Sequence, residues 1–295
     1  MTALGPGDLV LSHYSLPRGT PLADRAAAAA AAGFAGIGWH VTDYVALRGR
    51  GGTDDEVREI LDSHGVVLHE LDALALDRLG NLDPAIQLAK ALGVHHLQVQ
   101  GNRPGTVSEA ADVIATIADR VAPAGVNVAI EFLGCNNIAT AADALELADR
   151  SARPNVGVQV DIWHHVRGAN DWSLLEALPP ERIMSVQIDD GPIEPVDNDY
   201  LTDTVHHRRV PGAGEFDLQR FLSIVHPAGS TVPLSLEVID DDLFALSPDE
   251  AARRIADSTR RTLSAFGHPA GTRRAIHQAT AWWSVRESPV HDIWG

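Results

Sequence analysis

The chain has 295 residues, 45% of them hydrophobic, a net charge of −17 and one cysteine. That length suits one α/β barrel or two smaller domains, with enough apolar residues for a large core. The acidic balance argues against nucleic acid or an anionic membrane as partner, and Cys135 alone excludes an intramolecular disulfide framework, which fits a reducing cytoplasm.

The opening "MTALGPGDLVLSHYSLPRG" lacks a basic start followed by an apolar run, so no signal peptide is predicted. No stretch reads as a membrane span. The first predicted strand covers 8–14, and the alanine run Ala26 to Ala32, closed by Gly33, reads as a helix of small side chains packed on a sheet. Strands follow at 36–41, 66–71, 95–100, 127–133, 156–162, 183–189 and 233–239. Between them lie helical patterns such as "TDDEVREILDSHG", "TVSEAADVIATIADRVAPAG" and "TAADALELADR", which open on Thr with an acidic residue close behind. Eight strands, each followed by a helical stretch, is the count for a (β/α)8 TIM barrel. An open doubly wound sheet is the competing fold, but its glycine-rich turn is missing: "GFAGIG" (33–38) runs from helix into strand, the wrong order. The barrel is expected to occupy residues 1–266. Residues 267–295 form an extension with three of the six tryptophans, Trp282, Trp283 and Trp294. So many aromatics predict docking, either on the barrel base or on a second copy in a homo-oligomer.

In such a barrel the active site is built at the C-terminal ends of the strands. Glu131, Asp161, Gln187 and Glu237 end or nearly end four consecutive strands, 5 to 8. Carboxylates converging in one mouth repel unless a cation lies between them, and oxygen ligands suit a hard divalent ion, Mn2+ or Mg2+, with Co2+ as a further candidate. Any one strand-terminal acid is more often a helix cap or a loop ion pair; four on adjacent strands reverse those odds. His164, three residues after Asp161, is free to face a substrate, and at most one of His164 and His165 is expected to act. His13, His40 and His69 fall near strand ends 1 to 3 as wall or core histidines. Tyr14, Trp39, His40, Asp72, Gln100 and Trp163 are expected in the pocket wall, with Trp39 and Trp163 able to stack on a sugar ring or a carbocycle. Arg103 in "GNRPG" could hold a carboxylate, although a plain loop arginine is the commoner case.

The ordered set "AIEFLGCNN", "VGVQVDIWHHVRG", "MSVQIDDGP", "RRVPGAGEFD" and "LSLEV" resembles the signatures of the xylose isomerase-like barrels, over roughly residues 8 to 266. That superfamily includes ketose 3-epimerases, hydroxypyruvate isomerases, inosose-processing enzymes and 3-dehydroshikimate dehydratases. The resemblance implies that Glu131, Asp161, Gln187 and Glu237 hold one divalent metal, that His164 contacts a substrate oxygen, and that Arg208 or Arg209 reaches the substrate. The epimerases usually carry histidine where this chain has Gln187, and the dehydratase branch carries glutamine there.

The chemistry these residues suggest is proton abstraction beside a metal-polarised carbonyl, with Glu131, Glu237 and His164 as the acting groups. The leading expectation is a divalent-metal-dependent isomerase or epimerase of a polyhydroxylated ketone; the alternative is a 3-dehydroshikimate-type dehydratase (lyase) using the same site. A DNA-repair endonuclease would need more histidine ligands and a basic face. A barrel retired to a non-catalytic subunit would be expected to have lost its ligand residues, whereas all four candidates are present.

Overall fold

The computed structural model describes residues 3–269. Eight parallel strands, β1 (Leu9–Leu11), β2 (Gly36–His40), β3 (Val67–Ala75), β4 (His96–Gln100), β5 (Asn127–Glu131), β6 (Val156–Asp161), β7 (Ile183–Ile188) and β8 (Leu234–Leu236), pair in sequence order. Pairing of Leu9 with Leu234 closes the barrel. The outer layer comprises α1 (Leu22–Ala32), α2 (Val41–Gly49), α3 (Asp54–His64), α4 (Leu82–Leu92), α5 (Val107–Val121) and α6 (Ala141–Ser151). It continues with α7 (Ile162–Arg167), α8 (Trp172–Glu176), α9 (Tyr200–His206), α10 (Leu218–Val225), α11 (Asp241–Phe244) and α12 (Pro248–Ala265). The predicted (β/α)8 barrel is the observed fold. Among the described residues no helix is long and apolar enough to cross a membrane. The tryptophan-bearing extension, with its suggested docking role, lies outside the described residues apart from its first three positions, 267–269.

The helix starts follow their local chemistry. Thr53, Thr106 and Thr140 each accept from the backbone N–H three residues on, while Glu56, Glu109 and Asp143 reach back to the cap, so α3, α5 and α6 all begin in capping boxes. The alanine helix α1 stops at Gly33, which takes the left-handed φ of 78°. β1, β3 and β8, the last cut to Leu234–Leu236, depart most from their predicted bounds. β1 is only three residues long because the chain turns into a 3-10 segment at His13–Ser15. β3 runs on to Ala75 because Leu74 and Ala75 pair with Val99 and Gln100 beyond a register irregularity.

Strand alternation divides the buried residues into two sets. Val128, Ile130, Val158 and Val160 join one continuous apolar core. The intervening positions point into the barrel and are unusually polar: Glu70, His96, Gln98, Gln159, Ser185 and Ser235 are all buried. Hydrogen bonds satisfy part of this lining, including Ser235 Oγ to Glu70 at 2.8 Å. A polar column thus runs up the barrel to its C-terminal mouth, where the candidate ligands lie.

Candidate active site and metal centre

The mouth opens into a cavity of about 370 Å³ lined by Glu131, Glu237, His164 and Arg208, with Tyr14 and Gln98 among the other walls. Glu131 ends β5 and Asp161 ends β6, while Gln187 is the fifth residue of β7 and Glu237 follows β8. All four are buried. Glu131 accepts from Gln98 Nε2 at 2.6 Å and from Gln159 Nε2 at 3.0 Å. The same Gln159 amide donates to Gln187 Oε1 at 2.9 Å, so one glutamine sets the spacing of two candidate ligands. Asp161 caps α7 by accepting from Trp163 N at 2.8 Å, which explains a carboxylate at the lip of an apolar strand.

The positive charge comes from Arg208. Its Nη1 lies 2.7 Å from Asp161 Oδ2 and 2.6 Å from Asp189 Oδ2, and also donates to the Glu237 carbonyl at 3.2 Å. Burial acts to lower its proton affinity, but Asp161, Asp189 and Glu237 outweigh that and keep the guanidinium charged. Of the two sequence candidates, Arg208 is therefore the one at the site. Arg209 is exposed and turns away; its backbone pairs with Asp190 in an antiparallel bridge, and neighbouring residues in a strand-like pair present opposite faces. Asp190 anchors the rest of that loop, accepting from the N–H groups of Gly191, Gly212 and Phe216. A Cβ at Gly214 would collide with the Asp190 carboxylate and the Gly191 backbone, which accounts for the second glycine of "PGAGEFD".

His164 lines the same cavity. Its Nε2 is 3.7 Å from Glu131 Oε1 and 3.6 Å from Asp161 Oδ2, and its Nδ1 is 2.7 Å from the Tyr200 hydroxyl. Burial pushes His164 down to about 4, with Asp161 opposing and Arg208 assisting, so the ring is neutral at pH 7. Its neighbour His165 faces elsewhere, edge-on to Trp172 at 4.6 Å.

Four expected wall residues are corrected: His40, Asp72, Trp39 and Trp163 do not line this cavity. Gly38 faces the barrel interior, since a Cβ there would lie 2.7 Å from Glu70 Oε1. Trp39, one residue on, must point the opposite way, and it packs edge-on against Tyr44 of α2. Trp163 is fully buried beneath the cavity, donating Nε1 to Thr204 Oγ1 at 3.0 Å and lying 5.4 Å under the Arg208 guanidinium. It supports Arg208 and offers the cavity no free face. His69 is buried, as its core reading has it, but not near the strand end: it is the third residue of β3, at the base of the barrel, and β3 continues six residues beyond it. Tyr14 and Gln100 line the cavity as expected, whereas Arg103 folds onto the Gly105 carbonyl. Gln98, Gln159, Asp189 and Tyr200 were not singled out from sequence. The two glutamines share an alternation face with Gln100 and Asp161, and that period was the available signal.

These side chains suit a divalent cation. Glu131, Asp161 and His164 each offer a ligand atom within 4.8 Å of the others. Glu237 Oε2 is buried without a hydrogen-bond partner and has lone pairs to offer a cation, whereas Gln187 could ligate only through Oε1, which accepts from Gln159, and its unpartnered Nε2 is a donor. Burial, then repulsion from Glu237 and Asp161, raises Glu131 well above the usual carboxylate range. Burial likewise pushes Glu237 up to about 7, although Arg208 pulls it back. A cation among these groups would relieve the repulsion that no side chain fully offsets.

A family model for the xylose isomerase-like TIM barrel matches residues 26–262. The chain belongs to this family. A similar curated member of the family is the 3-dehydroshikimate dehydratase of Pseudomonas aeruginosa, 31% identical over 78% of this chain. The chain spans only 38% of that longer protein. An inosose isomerase of Bacillus velezensis is 26% identical over 77% of this chain and 89% of its own length. Among solved structures, the IOLI protein with a binding zinc atom superposes with a TM-score of 0.77 at 21% identity, over 88% of this chain and 99% of that one. The named relatives of this xylose isomerase-like barrel are thus isomerases and dehydratases.

Proposed function

We propose that the protein is a divalent-metal-dependent isomerase or epimerase of a polyhydroxylated cyclic ketone. The observation that carries this reading is the gathering of buried Glu131 and Glu237 on one small cavity that also holds a neutral histidine and a charged arginine, with buried Asp161 directly behind those two. Relatives named for inosose and for 3-dehydroshikimate, both carbocyclic ketones, support the substrate class.

Glu131, Asp161, Gln187 and Glu237 would hold the ion; oxygen donors favour Mn2+ or Mg2+, and the zinc in the IOLI structure keeps Zn2+ and Co2+ in the test set. When bound, such an ion supplies Lewis acidity to a ketone oxygen and so lowers the barrier to removing the neighbouring C–H proton. The chain supplies the proton transfer. Glu131 and Glu237 come from strands β5 and β8, on different sides of the cavity, so one can take a proton and the other return one. Arg208 and the neutral His164 ring, held at Nδ1 by Tyr200, are placed to orient substrate oxygens. Leu133, Leu201 and Ile239 give the cavity apolar wall and help exclude water.

A second reading is favoured by Gln187 and by the 31% identity to a dehydratase over most of this chain. If a hydroxyl sits β to the carbon that loses its proton, the C–O bond breaks after the C–H bond, and the carboxylate that took the proton returns it to the departing hydroxide, with the neutral His164 ring orienting that oxygen. The proton taken by the carboxylate and the hydroxide lost together make one water.

The experiment is incubation of metal-loaded protein in D2O with an inosose and, separately, with 3-dehydroshikimate, read by NMR and ultraviolet absorbance. Metal-dependent deuterium incorporation with a new isomer supports the isomerase. An aromatic absorbance from 3-dehydroshikimate moves the conclusion to the dehydratase. Absence of exchange and of product, with metal demonstrably bound, overturns both.

A further inference from the structure

At the opposite end of the barrel from the cavity, three imidazoles meet. His69 is the third residue of β3, His95 immediately precedes β4, and His96 opens β4, so all three lie at the N-terminal ends of adjacent strands. Each offers a ring nitrogen within 4.8 Å of the other two. His69 and His96 are buried and His95 is half-buried. A backbone bond from His95 N to His69 O at 2.8 Å locks the two strand starts together. Three polar rings in the base of a barrel, where apolar side chains usually fill the layer, need an explanation.

The hydrogen-bond pattern supplies one. His96 Nε2 is buried with no partner at hydrogen-bond distance, Glu70 Oε2 lies 4.0 Å from it, and Gln159 raises the proton affinity of the ring, as an acceptor does. Acceptors on that side favour the tautomer with hydrogen on Nε2, which leaves the Nδ1 lone pair turned toward His95. The Nδ1 atoms of His95 and His96 are 3.3 Å apart. A tetrahedral zinc with Zn–N bonds of about 2.0–2.1 Å separates its ligand atoms by about 3.3–3.4 Å. Glu70, itself held by Ser235, lies on that side with Oε2 4.0 Å from His96 Nε2, close to the place of the outer carboxylate that commonly orients a metal-bound histidine. His69 and His95 stack nearly parallel, 4.7 Å between centroids, and His95 is the half-exposed member of the three. That exposure also gives an ion a way in. Burial keeps all three rings in the neutral, ligating form.

We propose that His69, His95 and His96 form a second metal site, at the base of the barrel, for a borderline divalent ion such as Zn2+ or Co2+, with water completing the coordination. Imidazole donors select such ions over Mg2+, whereas the oxygen donors of the mouth accept the harder ones. The site is structural: it clamps β3 to β4, the pair whose register is interrupted between Leu71 and Leu74.

The test uses the full chain, stripped with chelator and reloaded with Zn2+ in the presence of excess Mg2+. Crystals of that protein are examined by anomalous scattering at the zinc edge, and metal content per chain is measured in solution. An anomalous peak among the three histidines is expected. His95→Ala, chosen because its half-exposed side chain can be removed without emptying the core, should lose that ion. It should keep the ion in the mouth and weaken Zn2+ retention at the base at least about tenfold. Asp161→Asn should show the reverse pattern. Zinc found only in the mouth, or base zinc unchanged in His95→Ala, overturns the proposal; neither result bears on the proposed chemistry of the mouth.

Discussion

The two ends of the barrel handle polar groups in opposite ways. The mouth gathers like charges, Glu131, Asp161, Asp189 and Glu237, and brings in Arg208 from a loop to offset part of them. The base gathers neutral rings, His69, His95 and His96, which need no counter-charge. Strand ends explain the difference. Long loops follow the strands at the mouth, so a distant arginine can be delivered there. The turns entering the strands at the base are short, and a cluster there must rely on what the strand starts themselves carry. Charge strain therefore accumulates where the chemistry is proposed, and a chemically softer, neutral cluster sits where stability is governed.

The largest effect that would sharpen this contrast comes from the mouth. Glu237→Gln should lower kcat by about 10²–10⁴-fold, the usual range for losing a general acid or base, while the circular dichroism spectrum stays unchanged. Near-normal turnover would remove the strand 8 residue from the mechanism. Arg208→Met should destabilise the fold by about 3–5 kcal/mol in denaturant titration, because it leaves Asp161 and Asp189 buried beside each other without their cation. A loss below about 1 kcal/mol would mean that the mouth is not under charge strain.

A smaller effect separates the buried carboxylates from the buried imidazoles by pH. In chelator, Glu237 at about 7 and Glu70 at about 8 stand above their ordinary 4.5, so both are protonated more readily in the folded state. Their contribution to stability is present below pH 4.5 and is lost as pH rises through 7 to 8. His96 runs the other way: held at about 3, below its ordinary 6.5, it contributes above pH 6.5 and that contribution is lost as pH falls toward 3. Thermal midpoints measured across pH in chelator should show both slopes, and Glu237→Gln should flatten only the alkaline one. The smallest effect is expected from Trp39→Phe, which should change KM less than about twofold and cost about 1 kcal/mol of stability, since the ring packs on α2 away from the cavity.

Much of the architecture was legible because its signals are local. Capping boxes at Thr53, Thr106 and Thr140, apolar runs of strand length and a left-handed glycine after the alanine helix depend on residues within a few positions of one another. Glu131, Asp161, Gln187 and Glu237 could be grouped from sequence because a closed barrel brings consecutive strand ends to one rim. The direction of each aromatic was harder to read. Trp39 lies on the outer face because a bulge and a glycine set the phase of β2, and phase is a matter of pairing register.

What the sequence by itself determined, then, is the repeating order of elements, the barrel they close into, and which acids end which strands. Only the tertiary structure decided that Arg208 rather than Arg209 faces the cavity, that Gln159 spaces Glu131 from Gln187, and that Tyr200 holds His164. It also decided that three histidines from two strand starts meet at the base. These partners are between one and forty-seven residues apart along the chain. Their meeting depends on strand register and loop path, which follow from the packing of the whole barrel rather than from any short stretch of residues.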